Sequence, residues 1–214
     1  MDIKRLLKDR FVEVLIFAFI LNVICLVLIR QLNMFVHGEL YTYGLVFSVE
    51  WAHDFQSNNM MLWVFLEGAS ALIILSIIPH SQYSIKPSKT SKWLGFLLPT
   101  LALIYQSISI WALTQMNDIV YNRLYDFGIP PNFDWSITYS PLSSTLLALM
   151  LIVLIVLIIP AIRTLEIIEI EIVKEEEEIS EKPEPKKVKS KKRSSKKKSV
   201  SKKSSNKSTS KKKS

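Results

Sequence analysis

The chain has a single cysteine, Cys25, in 214 residues. One thiol cannot close an intrachain disulfide or supply a thiolate metal cluster. Histidine is also scarce: His37, His53 and His80 are scattered along the chain. There is no GxxxxGK[ST], GxGxxG, HExxH or GxSxG. The residues that cradle phosphates, hold catalytic zinc or present a nucleophile in familiar soluble enzymes are therefore missing. Neither a metal nor a cofactor is expected. Two further shortages carry the topology. Lys and Arg are rare in 31–59 and 116–140, and acids nearly vanish after Glu181.

What the chain does contain is apolar sequence in long runs. Four stretches, near 11–30, 60–79, 93–115 and 141–162, are long enough to cross a bilayer, which takes about 20 helical residues. Lys4, Arg5, Lys8 and Arg10 precede the first. Its apolar core is longer than that of a signal peptide and has no small-residue cleavage site, so it reads as an uncleaved span. Short loops rich in Lys and Arg stay on the cytoplasmic side. The N-terminus, the 80–92 connection (Lys86, Lys89, Lys92) and the C-terminal tail are all basic. A multi-pass protein of the cell membrane is expected, with both termini cytoplasmic and two loops outside.

Those two loops resemble each other. LYTYGLVFSVEW runs from Leu40 to Trp51, and LYDFGIPPNFDW from Leu124 to Trp135, 84 residues later. Over 31–55 and 115–139, seven of 25 positions are identical, including Gln31/Gln115, Asn33/Asn117 and Val36/Val120. The expected fold is an all-α integral membrane protein built from two tandem helix hairpins. The first is 1–84 and the second 85–168, each a span out, an aromatic loop and a span back. An acidic juxtamembrane segment, 169–180, and a disordered Lys/Ser-rich tail, 181–214, complete the chain.

The alternation of Leu40, Thr42 and Gly44 with Tyr41, Tyr43 and Leu45 suits an extended segment. Tyr and Trp favour the membrane interface. Each loop is therefore expected to fold as a lid over its own helix pair. Tyr41, Tyr43, Glu50 and Trp51 in the first, with Tyr125, Phe127, Asp134 and Trp135 in the second, form a candidate docking surface. Pro130 and Pro131 replace Val46 and Phe47, which stiffens the second lid. A catalytic reading uses Glu50 and Asp134 as an acid/base pair; a solvated or capping carboxylate beside a Trp is the plainer one.

Within the spans, Glu67 is the only deep acid. Ionisable groups at that depth are costly and are functional candidates by default. By helical rise, Asn22, Glu67 and Gln106 lie at similar depths. The 84-residue offset equates Asn22 with Gln106, but Glu67 with Leu151. Two roles are open for this layer. Asn22 and Gln106 donate to Glu67 and glue the bundle, or Glu67 binds a proton, a cation or a cationic substrate in a small oligomeric transporter or channel.

After the fourth span, IRTLEIIEIEIVKEEEE reads equally as a helix or as Ile/Glu alternation. From Glu181 on there are 16 Lys or Arg against 2 Glu, a net of +14, whereas the first 180 residues carry −6. Such a tail buries too little apolar surface to fold. Its densest run, Lys191, Lys192, Arg193, Lys196, Lys197 and Lys198, is a candidate polyanion-binding segment. Without aromatics to stack on bases, anionic lipid is the favoured partner, at about 1 kcal/mol per Lys near the surface, and nucleic acid the second. A solvated spacer is the plain alternative. The expected function is a non-enzymatic membrane scaffold or accessory subunit. It docks a membrane-protein partner, or further copies of itself, through its outer loops.

Overall fold

A computed structural model describes residues 10–42, 50–83, 88–123 and 135–181. Most of both aromatic loops and the whole Lys/Ser-rich tail lie outside the described residues. The described chain is helical except at Ser88. Helix α1 spans Arg10–Thr42, α2 Glu50–Tyr83, α3 Lys89–Asp118 and α4 Ser140–Glu181. Short π-helical turns, Ile119–Arg123 and Trp135–Tyr139, follow α3 and precede α4. All four helices are long and apolar enough to span a membrane, and the chain is a multi-pass membrane protein.

Each expected span falls inside one helix, but the helices run further. The hydrophobic run marks the stretch that needs hydrocarbon, whereas the hydrogen-bond ladder continues until something breaks it. Leu40, Tyr41 and Thr42 are helical, so the extended reading of 40–45 fails over its first three residues, and Glu50 and Trp51 already belong to α2. No Pro or capping signal interrupts α1 there, and the Thr42 hydroxyl donates back to the Gly38 carbonyl at 2.9 Å. The undecided segment after the fourth span is also helical, through Glu181. The start of α3 does carry a stop. Ser88 accepts from the Ser91 amide, and the Ser91 hydroxyl accepts from the Ser88 amide, both at 3.1 Å, a reciprocal cap.

Packing makes a ring. Helix α1 lies against α2 and α4, and α3 lies against the same two. Because the helices are apolar nearly all round, the core is set by which stripe turns inward. One cluster gathers Ile29, Leu62, Leu113, Met150 and Tyr139, all fully buried. A second gathers Leu15, Ile73, Ala102 and Leu157. Between the two along the helices lie Asn22, Ser70 and Gln106. At the far end of the bundle the Arg163 guanidinium sits 3.6 Å over the Phe11 ring, joining α4 to α1. Nearby, Thr164 on α4 donates to the Gly95 carbonyl of α3 at 3.2 Å.

Candidate functional site

The polar layer forms in the middle of the bundle, with membership different from that expected. Asn22 is fully buried, and its Nδ2 donates to the Ser70 hydroxyl at 3.2 Å. Ser70 in turn donates to the Leu66 carbonyl at 3.0 Å. Gln106, also fully buried, donates from Nε2 to the Met150 carbonyl at 3.3 Å. One bond therefore ties α1 to α2, and the other ties α3 to α4. Interhelical bonds of this type contribute about 0.6–2 kcal/mol. Asn22 Oδ1 and Gln106 Oε1 remain buried with no donor among the described residues. Each amide can still accept one hydrogen bond.

Glu67 does not join them. Its side chain is exposed, on the outward face of α2. Among the described residues it has neither a hydrogen bond nor an ion pair. The reason is angular. Leu62, Leu66, Ala69 and Ile73 turn inward, and Glu67 shares the opposite stripe with Met60, Val64, Ala71, Ile74 and Ile78. It is the central residue of the apolar helix Ala52–Gln82, fifteen positions from either end. For a solitary bundle in a bilayer that face would meet lipid, where an ionised side chain costs about 2.5–3.5 kcal/mol by insertion. The shared layer of Asn22, Glu67 and Gln106 is thus corrected: depth agrees, direction does not.

The small residues beside Glu67 are used on the inside. Gly68 lies under the Tyr105 ring of α3, so close that a Cβ there would stand 2.6 Å from Cδ2 and Cε2. Tyr105 also meets Phe65 edge to face, with centroids 5.2 Å apart. At the loop end, Tyr139 is fully buried and donates to Asn117 Oδ1 at 2.8 Å. Tyr121 packs against it edge to face at 5.9 Å.

Of the loop residues, Tyr41 is 81% exposed near the end of α1. Glu50 and Trp51 open α2, and Trp135 opens the turn before α4. Tyr43, Tyr125, Phe127 and Asp134 lie outside the described residues, as do Lys191, Lys192, Arg193, Lys196, Lys197 and Lys198. Among the described residues no three His, Cys, Asp or Glu side chains gather as a metal site. His80 is buried, with its Nδ1 2.9 Å from the Ser76 carbonyl of its own helix, whereas His37 and His53 are exposed.

The sequence reading missed Ser70 as the partner of Asn22 and the Met150 carbonyl as the partner of Gln106. The run Gly68, Ala69, Ser70, Ala71 was the available signal for the first. A backbone acceptor leaves no such signal. The chain matches no protein-family model, no curated protein and no solved structure.

Proposed function

We propose that the chain is a membrane scaffold or accessory subunit that works by binding. The observation that carries this is the direction of Glu67. The two mid-bundle amides each hold a neighbouring helix, while the deep acid faces outward, where only lipid or another membrane protein can meet it. A carrier built from one bundle would need Glu67 to line an interior path, whereas an oligomeric transporter or channel would need it to line a path between copies. Within one bundle it lies on the other side of its helix.

In this proposal the chain is two tandem hairpins, with the loops outside and both termini in the cytoplasm. Burial supports the repeat. Asn22 and Gln106, Leu32 and Met116, Phe55 and Tyr139, Leu66 and Met150, and His80 and Thr164 are all buried, and each pair is 84 residues apart. The hydrogen bonds run in the same register. Gln106 reaches the Met150 carbonyl directly. Asn22, one methylene shorter, reaches the equivalent Leu66 carbonyl through Ser70. The outer loops, with Tyr41, Trp51 and Trp135, form the docking surface outside the bilayer, and the Lys-rich tail meets a polyanion, foremost anionic lipid.

The test is a mild-detergent pull-down of tagged full-length protein, with mass spectrometry of proteins, lipids and nucleic acid. Versions ending at Glu181, and versions with Trp51 and Trp135 both replaced by Ala, run beside it. A stoichiometric membrane-protein partner, or a stable homo-oligomer, that survives tail removal and weakens with the Trp replacements is expected. A monomer with no protein partner, which carries solute across liposomes in a Glu67-dependent way, overturns the proposal.

A further inference from the structure

Glu67 is not the only charged side chain on the outside of the apolar helices. Arg30 lies within the apolar segment Arg10–Glu39 of α1 and is exposed. Among the described residues it too has no hydrogen bond or ion pair. The geometry of α1 and α2 relates these two residues in angle and in depth.

The angle follows from the Asn22–Ser70 bond, which identifies the flank each helix turns toward the other. Glu67 precedes Ser70 by three residues, a rotation of about 60° at 3.6 residues per turn. Ser70 is buried and Glu67 exposed, so this rotation runs from the α1 flank to the outer face. Arg30 follows Asn22 by eight residues, a rotation of about 80°. It likewise runs from a buried residue to an exposed one. Glu67 and Arg30 therefore stand on the two outer lips of one groove, between α1 and α2.

The depth follows from the same bond. With Asn22 opposite Ser70 on antiparallel helices, Arg30 lies about 12 Å and Glu67 about 4.5 Å toward the loop end, a difference of about 7.5 Å. Helical side chains lean toward their own N-terminus. Arg30 leans back toward the Arg10 end of α1, which is toward the level of Glu67. Glu67 leans toward the Glu50 end of α2, which is toward the level of Arg30. Yet no ion pair joins them within the chain. The groove thus presents an acid and a base that lean toward a shared level, rimmed by the exposed apolar side chains of Val27, Met34, Met60 and Val64.

We propose that this groove docks a second copy of the chain through two reciprocal Arg30–Glu67 ion pairs. Copies inserted in the same orientation are related by a two-fold axis along the membrane normal. An isologous contact of the α1–α2 lips then sets each Glu67 beside the partner's Arg30 and forms the pair twice. Of the described Lys and Arg, Arg30 is the one nearest the level of Glu67. Arg10, Lys89, Lys92, Arg163 and Lys174 lie at or past the opposite end of the bundle, and Arg123 beyond its loop end. Ala71, one turn from Glu67 on the same stripe, lets a neighbouring backbone approach. This inference rests on the binding role proposed above and names the partner at that site.

The test is disulfide trapping in native membranes with full-length chains carrying Cys25→Ala. A chain with Arg30→Cys and one tag is co-expressed with a chain carrying Glu67→Cys and a second tag. Each keeps the residue needed for one remaining ion pair. Oxidation is expected to give a mixed-tag dimer, at least about tenfold above the pair Arg30→Cys with Leu151→Cys, which sits on the outward face of α4. Equal trapping with the control overturns the proposal. So does a doubly substituted chain that closes mainly on itself, which would make the pair intramolecular.

Single-molecule photobleaching in membranes gives a second readout. Glu67→Arg alone, or Arg30→Glu alone, lowers the dimer fraction, and the two together in one chain restore it. Failure of that restoration also overturns the proposal. A different membrane protein that co-purifies in stoichiometric amount and is lost with Glu67→Gln removes the second copy as occupant while sparing the accessory-subunit reading. A solitary chain with neither partner ends both.

Discussion

The Tyr105 ring lies across Gly68 at a distance that leaves no room for a Cβ, which would be 2.6 Å from two ring carbons. Helices α2 and α3 approach closely there because one contributes no side chain and the other contributes a flat one. Gly68→Ala must push the ring away and disturb its edge contact with Phe65. We expect a loss of about 1–3 kcal/mol, as for other overpacked contacts, and a larger loss for Gly68→Val. Thermal unfolding followed by tryptophan fluorescence in detergent checks both.

Gly38 is the internal control. It is helical, and nothing lies within 4 Å of where its Cβ would be. Gly38→Ala should leave the fold unchanged and raise stability by about 0.5–1 kcal/mol through helix propensity. A loss comparable to that of Gly68→Ala would mean that the outside of α1 is covered in the membrane.

Gln106 should tolerate leucine better than alanine. Its amide donates to a carbonyl of a continuous helix, so removing the donor strands no backbone group, and Oε1 has no donor to lose. Gln106→Leu keeps the volume and is expected within about 1 kcal/mol of the parent. Gln106→Ala opens a hole in a fully buried position and should cost about 2–5 kcal/mol, the range seen when large buried side chains are truncated. Equal losses would show that the hydrogen bond, not the volume, holds α3 to α4.

Tyr139 fills a core position and also donates to Asn117. Tyr139→Phe removes the bond to Asn117 and keeps the ring against Tyr121, for a loss of about 1 kcal/mol. Tyr139→Ala removes the ring as well, for about 3–5 kcal/mol. Comparing the two unfolding midpoints separates the hydroxyl from the packing.

Ending the chain at Glu181 removes 16 of the 27 Lys and Arg, namely 15 Lys and Arg193, leaving a net negative protein. Flotation with anionic vesicles should show the full-length protein binding more strongly than the shortened one. The difference should shrink as salt shortens the screening length from about 10 Å at 0.1 M to about 3 Å at 1 M. Equal binding at low salt would remove the lipid-binding role of the tail.

The depth of the polar groups was legible in the sequence, and their direction was not. Rise per residue places Asn22, Glu67 and Gln106 at similar levels whichever way each points. Direction depends on a contrast between the faces of a helix, and these helices carry almost none. Leu66 and Glu67 are neighbours in sequence, one wholly buried and one exposed, within a stretch apolar on every side. Helix ends were illegible for a related reason. Hydropathy reports where the chain needs hydrocarbon, and α1 continues for twelve residues past Arg30 without needing it. The Ser88–Ser91 cap was not read in advance either, although it is written in local side chains.

Helix α4 continues for 18 residues after Arg163, whose guanidinium sits over the Phe11 ring of α1. Thr164 is still held to Gly95 of α3, and the apolar segment reaches Ile170. The part of the helix beyond that segment, Glu171 to Glu181, is about 16 Å long at ~1.5 Å per residue, some two screening lengths of about 8 Å at physiological salt. In the sequence, the Lys-rich stretch follows directly on this helix, just after the acid run Glu175–Glu178. The bundle is thus a mooring with a boom. Under the proposal that the tail meets a polyanion, the acids at the end of this helix compete with that polyanion for the first lysines.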